Sequence, residues 1–361
     1  MVAVRFTTHQ NFSEKGFVRL KTIIRNLASR HPRLRHLYEG ARHAYHHLRK
    51  LAYFGSDARM AYRHMQWQPQ GRIRYWALSA ELLFQYHKLE KGLCMPGKKR
   101  FFGYNPATTT LALLGVWRQR GYPLNDPIYL GAIETLRAYR ARINLTPPER
   151  GLELFAGLDA ELARSPNEQK ALSTPRPEMD ATPVGANEFF PALMRARRSI
   201  RSFSPIPAEP ERIEHAIAMA QLSPSGCNRQ PARVHCYADR AQIDPLLALQ
   251  NGNRGFGQTA STLLVLTAEA SGFFDASERH APYIDGGMFA MSLILGLQAV
   301  GLSTCCLNWG VSPQDDRRAH KLGNIPESER IVMFILVGYP DVTALVPRSP
   351  RRALESVCIH H

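Results

Sequence analysis

Two uninterrupted apolar runs constrain this chain more than any other feature. Ser261-Thr-Leu-Leu-Val-Leu-Thr and Ile331-Val-Met-Phe-Ile-Leu-Val-Gly are apolar at consecutive positions rather than alternate ones. As strands they must be covered on both faces. Between them, Tyr283 to Val300 reads as a long apolar helix that stops at Gly301. Val234-His-Cys-Tyr-Ala reads as a further short strand, and Glu188–Arg198 and Pro210–Leu222 as helices. Buried strands among helices put this part of the chain in the α+β or α/β class.

The front of the chain reads as mainly helical. Apolar residues recur at spacings of three and four through residues 1–60, as in amphipathic helices. Residues 72–92 predict one helix with Gly92 as its stop, and residues 108–120 a second that ends at Gly121. Asp126-Pro127 opens a third helix running to about Ile143, and a short one is expected near 153–163. Ser165 to Gly185 holds four prolines and almost no bulky apolar residue. The expected division is therefore a helical, basic domain over 1–164, a linker over 165–185 and a second domain over 186–361.

Charge follows the same division. Residues 1–105 carry 20 lysines and arginines against 5 acidic residues, while the remaining 256 carry 26 against 25. A basic front suits an acidic partner, an anionic surface or nucleic acid, or else a solvated arm. The absence of RRM, KH and zinc-finger patterns argues against nucleic acid. The six cysteines form no CxxC pair and have no zinc-ligand spacing with histidine, so neither a metal site nor a disulfide framework is expected. The first residues lack the apolar core of a secretory signal, and polar residues and glycines interrupt Met288–Leu307. The expected location is cytoplasmic, with peripheral membrane association through the basic front as an option.

GxxxxGK[ST], GxSxG, HExxH and a GxGxxG after a strand are all missing, which removes the usual NTPase, hydrolase, zincin and dinucleotide-fold readings. Four other segments carry chemistry. Arg197-Arg-Ser-Ile-Arg-Ser-Phe concentrates guanidiniums suited to an oxyanion. Leu222-Ser-Pro-Ser-Gly-Cys-Asn-Arg-Gln-Pro offers free backbone amides and two carboxamides. Asp285-Gly-Gly-Met opens the long helix that leads to Gly301-Leu-Ser-Thr-Cys-Cys-Leu-Asn-Trp. Gly338-Tyr-Pro-Asp is followed by Pro347-Arg-Ser-Pro-Arg-Arg-Ala-Leu-Glu-Ser-Val. Cys305-Cys306 reads as a pair of buried small hydrophobes rather than a redox pair.

In this order the four segments resemble the flavin-dependent nitroreductase superfamily over about residues 188–361. The resemblance implies an α+β fold with a central, mostly antiparallel sheet flanked by helices, preceded here by the helical domain. It also implies a homodimer with FMN at the subunit interface. By position, Arg197, Arg198, Ser199 and Arg201, with Arg348 and Arg351, resemble ligands of the FMN phosphate, ribityl chain and pyrimidine edge. Pro224, Ser225, Gly226, Asn228 and Gln230 resemble the loop that a partner subunit lays along the flavin. Leu307, Asn308 and Trp309 occupy the segment whose backbone faces the reactive nitrogen, so Asn308 and Trp309 are the implied catalytic positions. The chain departs from the family at Ala232, where tryptophan is common, and at Asn308, where an acid is usual. Only about 15 residues separate the Ser261–Thr267 run from the long helix, where many relatives place substrate-covering helices.

A second resemblance lies in Phe84-Gln-Tyr-His-Lys-Leu-Glu-Lys-Gly-Leu with Pro96 and Phe101-Phe-Gly. It is similar to a segment of nitroreductase-like proteins from bacterial surface-polysaccharide clusters. His87, Glu90 and Lys91 share one helix face there. They read either as a proton-handling or substrate-binding cluster or as a salt-bridged surface patch. The implied activity is hydride transfer from NADH or NADPH through FMN to a small or glycan-related substrate. The alternative is a non-catalytic flavin-binding scaffold in polysaccharide assembly.

Overall fold

The computed structural model describes residues 32–65, 74–95, 101–143, 149–165, 184–347, 349 and 351–361. The helices expected before residue 32, most of the 165–185 linker, Pro96 and Arg348 lie outside the described residues. The chain divides into two units, residues 1–59 and 60–361. The first contains most of α1 (Pro32–His64), a single 33-residue helix. Its Leu37, Tyr45, Leu48 and Leu51 are exposed. Among the described residues no helix is long and apolar enough to cross a membrane.

In the second unit, α2 (Tyr75–Cys94), α3 (Tyr104–Gln119), α4 (Pro127–Arg142) and α5 (Glu149–Ala163) enclose one apolar core. Leu78, Leu82, Leu89, Leu114, Trp117, Leu136, Tyr139 and Leu158 are fully buried in it. Asp126 caps α4 by accepting from Ile128 N–H at 2.8 Å, and Pro127 supplies the preset first turn. Trp117 donates its indole N–H to the Pro123 carbonyl at 3.0 Å. The guanidinium of Arg118 forks onto the buried Glu161, which joins α3 to α5. The helix does not stop at Gly92, as its sequence suggested; α2 runs on to Cys94. Gly92 serves close packing, because a side chain there would collide with the Phe102 ring.

The remaining elements are α6 (Ala186–Ala196), α7 (Pro210–Ala220), β1 (Ala232–Tyr237), α8 (Arg240–Leu247), β2 (Thr262–Glu269), α9 (Ala281–Ala299), β3 (Ser303–Asn308), α10 (Pro313–Leu322) and β4 (Glu329–Gly338). The strands form one sheet in the order β1-β2-β4-β3, antiparallel throughout. The fold is α+β. Period-two alternation along the central strands builds two cores. Leu263, Val265, Phe334 and Leu336 pack on one face with Ile243 and Leu246 of α8 and Ala319 of α10. Leu264, Leu266, Ile335 and Val337 pack on the other with Ala216 of α7 and Leu293 and Leu297 of α9. The apolar runs of β2 and β4 thus follow from the two covered faces. Helix α2 also meets this domain: a Cβ on Gly272 would sit 3.0 Å from that of Ala80.

Candidate functional site

The arginine-rich segment lies along the outer edge of β3. Ile200 N–H donates to the Thr304 carbonyl at 2.9 Å, and Ser199 bridges Thr304 in parallel. Asp341 N–H donates to the Ser202 carbonyl at 3.0 Å, tying the segment to the chain after β4. Ile200 and Phe203 point into the core, which leaves Arg197, Arg198 and Arg201 on the accessible side. The Arg201 guanidinium lies 5.8 Å from the Phe256 ring centre and reaches the Ser199 carbonyl at 3.5 Å. None of the three arginines has a carboxylate partner among the described residues.

At the end of β3, Leu307 is buried and Asn308 is exposed. The Asn308 carbonyl accepts from Gln250 Nε2 at 3.0 Å. Trp309 stacks on Phe334 with ring centres 4.3 Å apart and donates its indole N–H to Asp316 at 2.8 Å. The indole is therefore fixed by packing. Cys305 is buried, and burial pushes its thiol up, with Arg201 opposing. Cys306 is exposed, so the expected pair of buried hydrophobes is half right: strand alternation turns the two cysteines to opposite faces. The basic tail behaves differently from the edge segment. Arg351 is exposed and donates to the Ser349 carbonyl at 2.5 Å.

The loop before β1 is the most strained piece of backbone. Cys227, Asn228 and Gln230 have φ of 53°, 56° and 51°, the left-handed region that glycine tolerates best. Several hydrogen bonds hold it there. Gly226 N–H donates to Asp285 Oδ2 at 3.0 Å, and Gln230 N–H to Ser225 Oγ at 2.9 Å. Burial pushes the Asp285 carboxyl up, while the Gly226 hydrogen bond and the Arg229 charge oppose this. Pro224 and Gln230 remain exposed, and the Gln230 amide lies 3.3 Å from Asn228 Oδ1.

Arg229 is the anchor of that loop. It is 4 % exposed, and its guanidinium sits 4.6, 5.1 and 5.2 Å from the ring centres of Phe84, Phe273 and Phe274. It donates to Glu278 at 2.7 Å, while its Nε–H has no partner among the described residues. Sequence reasoning passed over Arg229 because its partners are far away in the chain. Phe84 belongs to α2, whose Lys88 lies over the same ring at 3.7 Å. Burial holds the Lys88 ammonium down, with Cys227 of the loop opposing. On α2 it is thus Phe84 and Lys88 that meet the loop. The neighbouring His87 instead bonds Glu90 at 2.7 Å, and Lys91 is exposed.

A second buried charge centre lies beneath β1. Glu329 is fully buried and accepts from Arg233, from His235 at 2.7 Å and from the Thr267 hydroxyl. Burial pushes its carboxyl up, but hydrogen bonds from His235 and Thr267 and the charges of His235 and Arg233 outweigh this and hold it below the usual range. Arg233 also covers the Trp76 ring at 4.6 Å, another link to α2.

The sheet separates the two halves of the expected flavin site. Asn308 pairs with Met333, Met333 with Leu266, and Leu266 with Val234. The β3 edge therefore stands three strand spacings, roughly 14 Å, from β1. The arginines lie at one edge and the strained loop enters the other. One chain does not bring both sets against the same small face.

The family model described as "Nitroreductase family" matches residues 194–252 and 241–339. Over 233 residues the chain is 25 % identical to an iodotyrosine deiodinase from Nematostella vectensis, covering 54 % of this chain and 86 % of that one. Against the Danio rerio iodotyrosine deiodinase it is 26 % identical over 204 residues, 48 % of this chain and 67 % of that one. Solved structures give weaker likenesses. A Desulfovibrio desulfuricans structure assigned as a nitroreductase, in complex with FMN, is 20 % identical, with TM-score 0.41 and coverages of 47 % and 95 %. A nitroreductase family protein from Streptococcus pneumoniae is 17 % identical, with TM-score 0.41 and coverages of 48 % and 100 %.

Proposed function

The chain carries a nitroreductase-family domain over residues 194–339, and from that premise we propose that the protein is an FMN-dependent oxidoreductase acting on a small molecule. The observation that carries the reading is the β3 edge. Three arginines without carboxylate partners among the described residues stand beside the exposed end of a strand, in a domain of this family. Such guanidiniums suit a phosphate dianion. Arg197, Arg198, Ser199 and Arg201 would hold the phosphate and ribityl end, with Arg348 and Arg351 as further basic groups. Leu307 and the Asn308 backbone would border the ring. When bound, FMN supplies hydride chemistry between a nicotinamide donor and a second substrate. The residues of the chain bind, orient and exclude water.

The separation of the two half-sites supports a homodimer. A loop carrying Pro224, Ser225, Gly226, Asn228 and Gln230 on one protomer would complete the arginine edge of its partner. Helix α6 has no buried residue and exposes Phe189 and Phe190, and α9 exposes Ile284. These are apolar faces of the kind a second copy covers. The deiodinase relatives support a reductive direction. On the first unit, basic α1 with its exposed leucines is the part suited to a peripheral anionic partner.

The test is the absorption spectrum of the full chain after reconstitution with FMN, followed by anaerobic NADH and then NADPH. Flavin bands that bleach with one nucleotide support the enzyme. A bound flavin that neither nucleotide reduces leaves the scaffold reading, and failure to bind FMN sinks both.

A further inference from the structure

Behind the strained loop lies a cavity of about 250 Å³, walled in part by Pro224, Ser225 and Gln230 of the proposed flavin loop. Its walls come from four parts of the chain. Tyr75 and Trp76 belong to α2, Gln230 to the loop, and Asp285 and Phe289 to α9, while Asp126 stands at the start of α4. The aromatic rings supply a flat apolar wall. The volume lies below the ~300–1,000 Å³ common for drug-sized ligands, so it fits a compound built on about one ring.

The polar groups give the cavity a sign. Asp126 accepts from the Tyr75 hydroxyl at 2.8 Å and from Ile128 N–H. Asp285 is 5 % exposed and accepts from Gly226 N–H through one oxygen. Its second oxygen has no hydrogen-bond donor among the described residues. A carboxylate oxygen that opens onto a cavity without a protein donor is a place where a ligand N–H can bond. The guanidinium in the wall, Arg229, bonds Glu278 and lies against three phenyl rings, while its Nε–H has no partner among the described residues. Two carboxylates therefore face the space, and Arg229, already paired with Glu278, is the cation among the described residues that line it.

We propose that this cavity is a second small-molecule site, which takes a compact organic cation: a primary amine or amidinium on a flat apolar body. The ammonium or amidinium N–H groups meet the open oxygen of Asp285, with Asp126 adding negative potential across the cavity. The body lies against Trp76, Tyr75 and Phe289. Burial pushes the Asp285 carboxyl up, and a positive charge beside it opposes that shift, as Arg229 already does in part. The site shares Pro224, Ser225 and Gln230 with the proposed flavin loop, but its test reads binding of the probes alone and can fail while flavin binding holds.

Three probes of one shape test it on the full chain by titration calorimetry or ligand-observed NMR: benzylamine, benzyl alcohol and benzoate. Benzylamine is expected to bind at least tenfold tighter than benzyl alcohol, and benzoate more weakly than either. Asp285→Asn keeps an acceptor for Gly226 N–H but removes the charge. It should weaken benzylamine about tenfold and leave benzyl alcohol unchanged. Asp126→Asn, which retains a helix-capping side chain, should weaken benzylamine severalfold. Equal binding of amine and alcohol, or a preference for the amine that survives both substitutions, overturns the proposal. Melting curves accompany both variants. If Asp285→Asn does not fold, an unchanged benzylamine affinity in Asp126→Asn is sufficient to reject it.

Discussion

Arginines at the two edges of the sheet do opposite things. At the β3 edge, Arg197, Arg198 and Arg201 face outward with no carboxylate partner among the described residues. At the β1 edge, Arg229 and Arg233 are each clamped to a glutamate and laid over aromatic rings from α2. The first group neutralises no carboxylate among the described residues. The second group neutralises charge that folding has already buried. The residue type is the same at both edges. The difference comes from what the rest of the chain brings to each.

Removing a clamped arginine should therefore be the most damaging change. Arg233→Met leaves the fully buried Glu329 short of one cationic partner and should cost about 3 kcal/mol in urea unfolding. Arg233→Met combined with Glu329→Gln should recover part of that loss, because the uncompensated charge goes with it. A double variant no more stable than the single one would break the comparison. Acid sharpens it further. The Glu329 carboxyl is held below its ordinary value of 4.5, so its contribution is fully present above that pH. It is lost as pH falls below 4.5 toward the lowered folded-state value. The stability gap between wild type and Glu329→Gln should narrow over that acid range.

The Arg229 clamp should come next. Phe84→Ala removes one wall of the phenyl box and should cost about 2 kcal/mol, less than a fully buried phenylalanine because Phe84 is half-buried. The loop should respond more than the global fold does. With the box open, the peptide bond after Arg229 should become a site of early tryptic cleavage. A loop as resistant as in the wild type would show that Asp285 and Ser225 hold the strained backbone without α2. Deleting residues 1–185 is the coarser form of this experiment, since it removes Phe84 and Trp76 together.

Legibility in the sequence followed the same line between local and distant causes. The β2 and β4 runs and the Asp126-Pro127 helix start were readable, because burial on two faces and helix capping leave marks within a few residues. Strand β3 was not. Its Ser303-Thr-Cys-Cys-Leu-Asn is short and mixed, and it is a strand because β4 pairs with it. Helices α8 and α10 were likewise unassigned; each is brief and gains its burial from the sheet beneath it. Gly92 was misread as a stop because the Phe102 ring that requires it cannot be seen from spacing. The motif order singled out the arginine segment and the loop as candidates. It could not show that Arg229, between two residues of interest, is the one that is buried.

The smallest effect on stability should come from the unclamped group, and here the comparison is most exposed to failure. Arg197→Ala and Arg201→Ala remove guanidiniums that satisfy no buried acid, so each should shift unfolding by no more than about 0.5 kcal/mol. Each should nonetheless weaken FMN about tenfold or more, the loss of roughly one charge-assisted contact to a phosphate. The two readouts must separate: unfolding nearly unchanged and flavin affinity reduced. If both fall together, these arginines are structural like Arg229 and Arg233. If neither moves, the anion site is not at the β3 edge. Arg198 provides the internal comparison. It is half-buried beside Arg197 on the same segment, so a role in anion binding should make Arg197→Ala/Arg198→Ala worse than either single change.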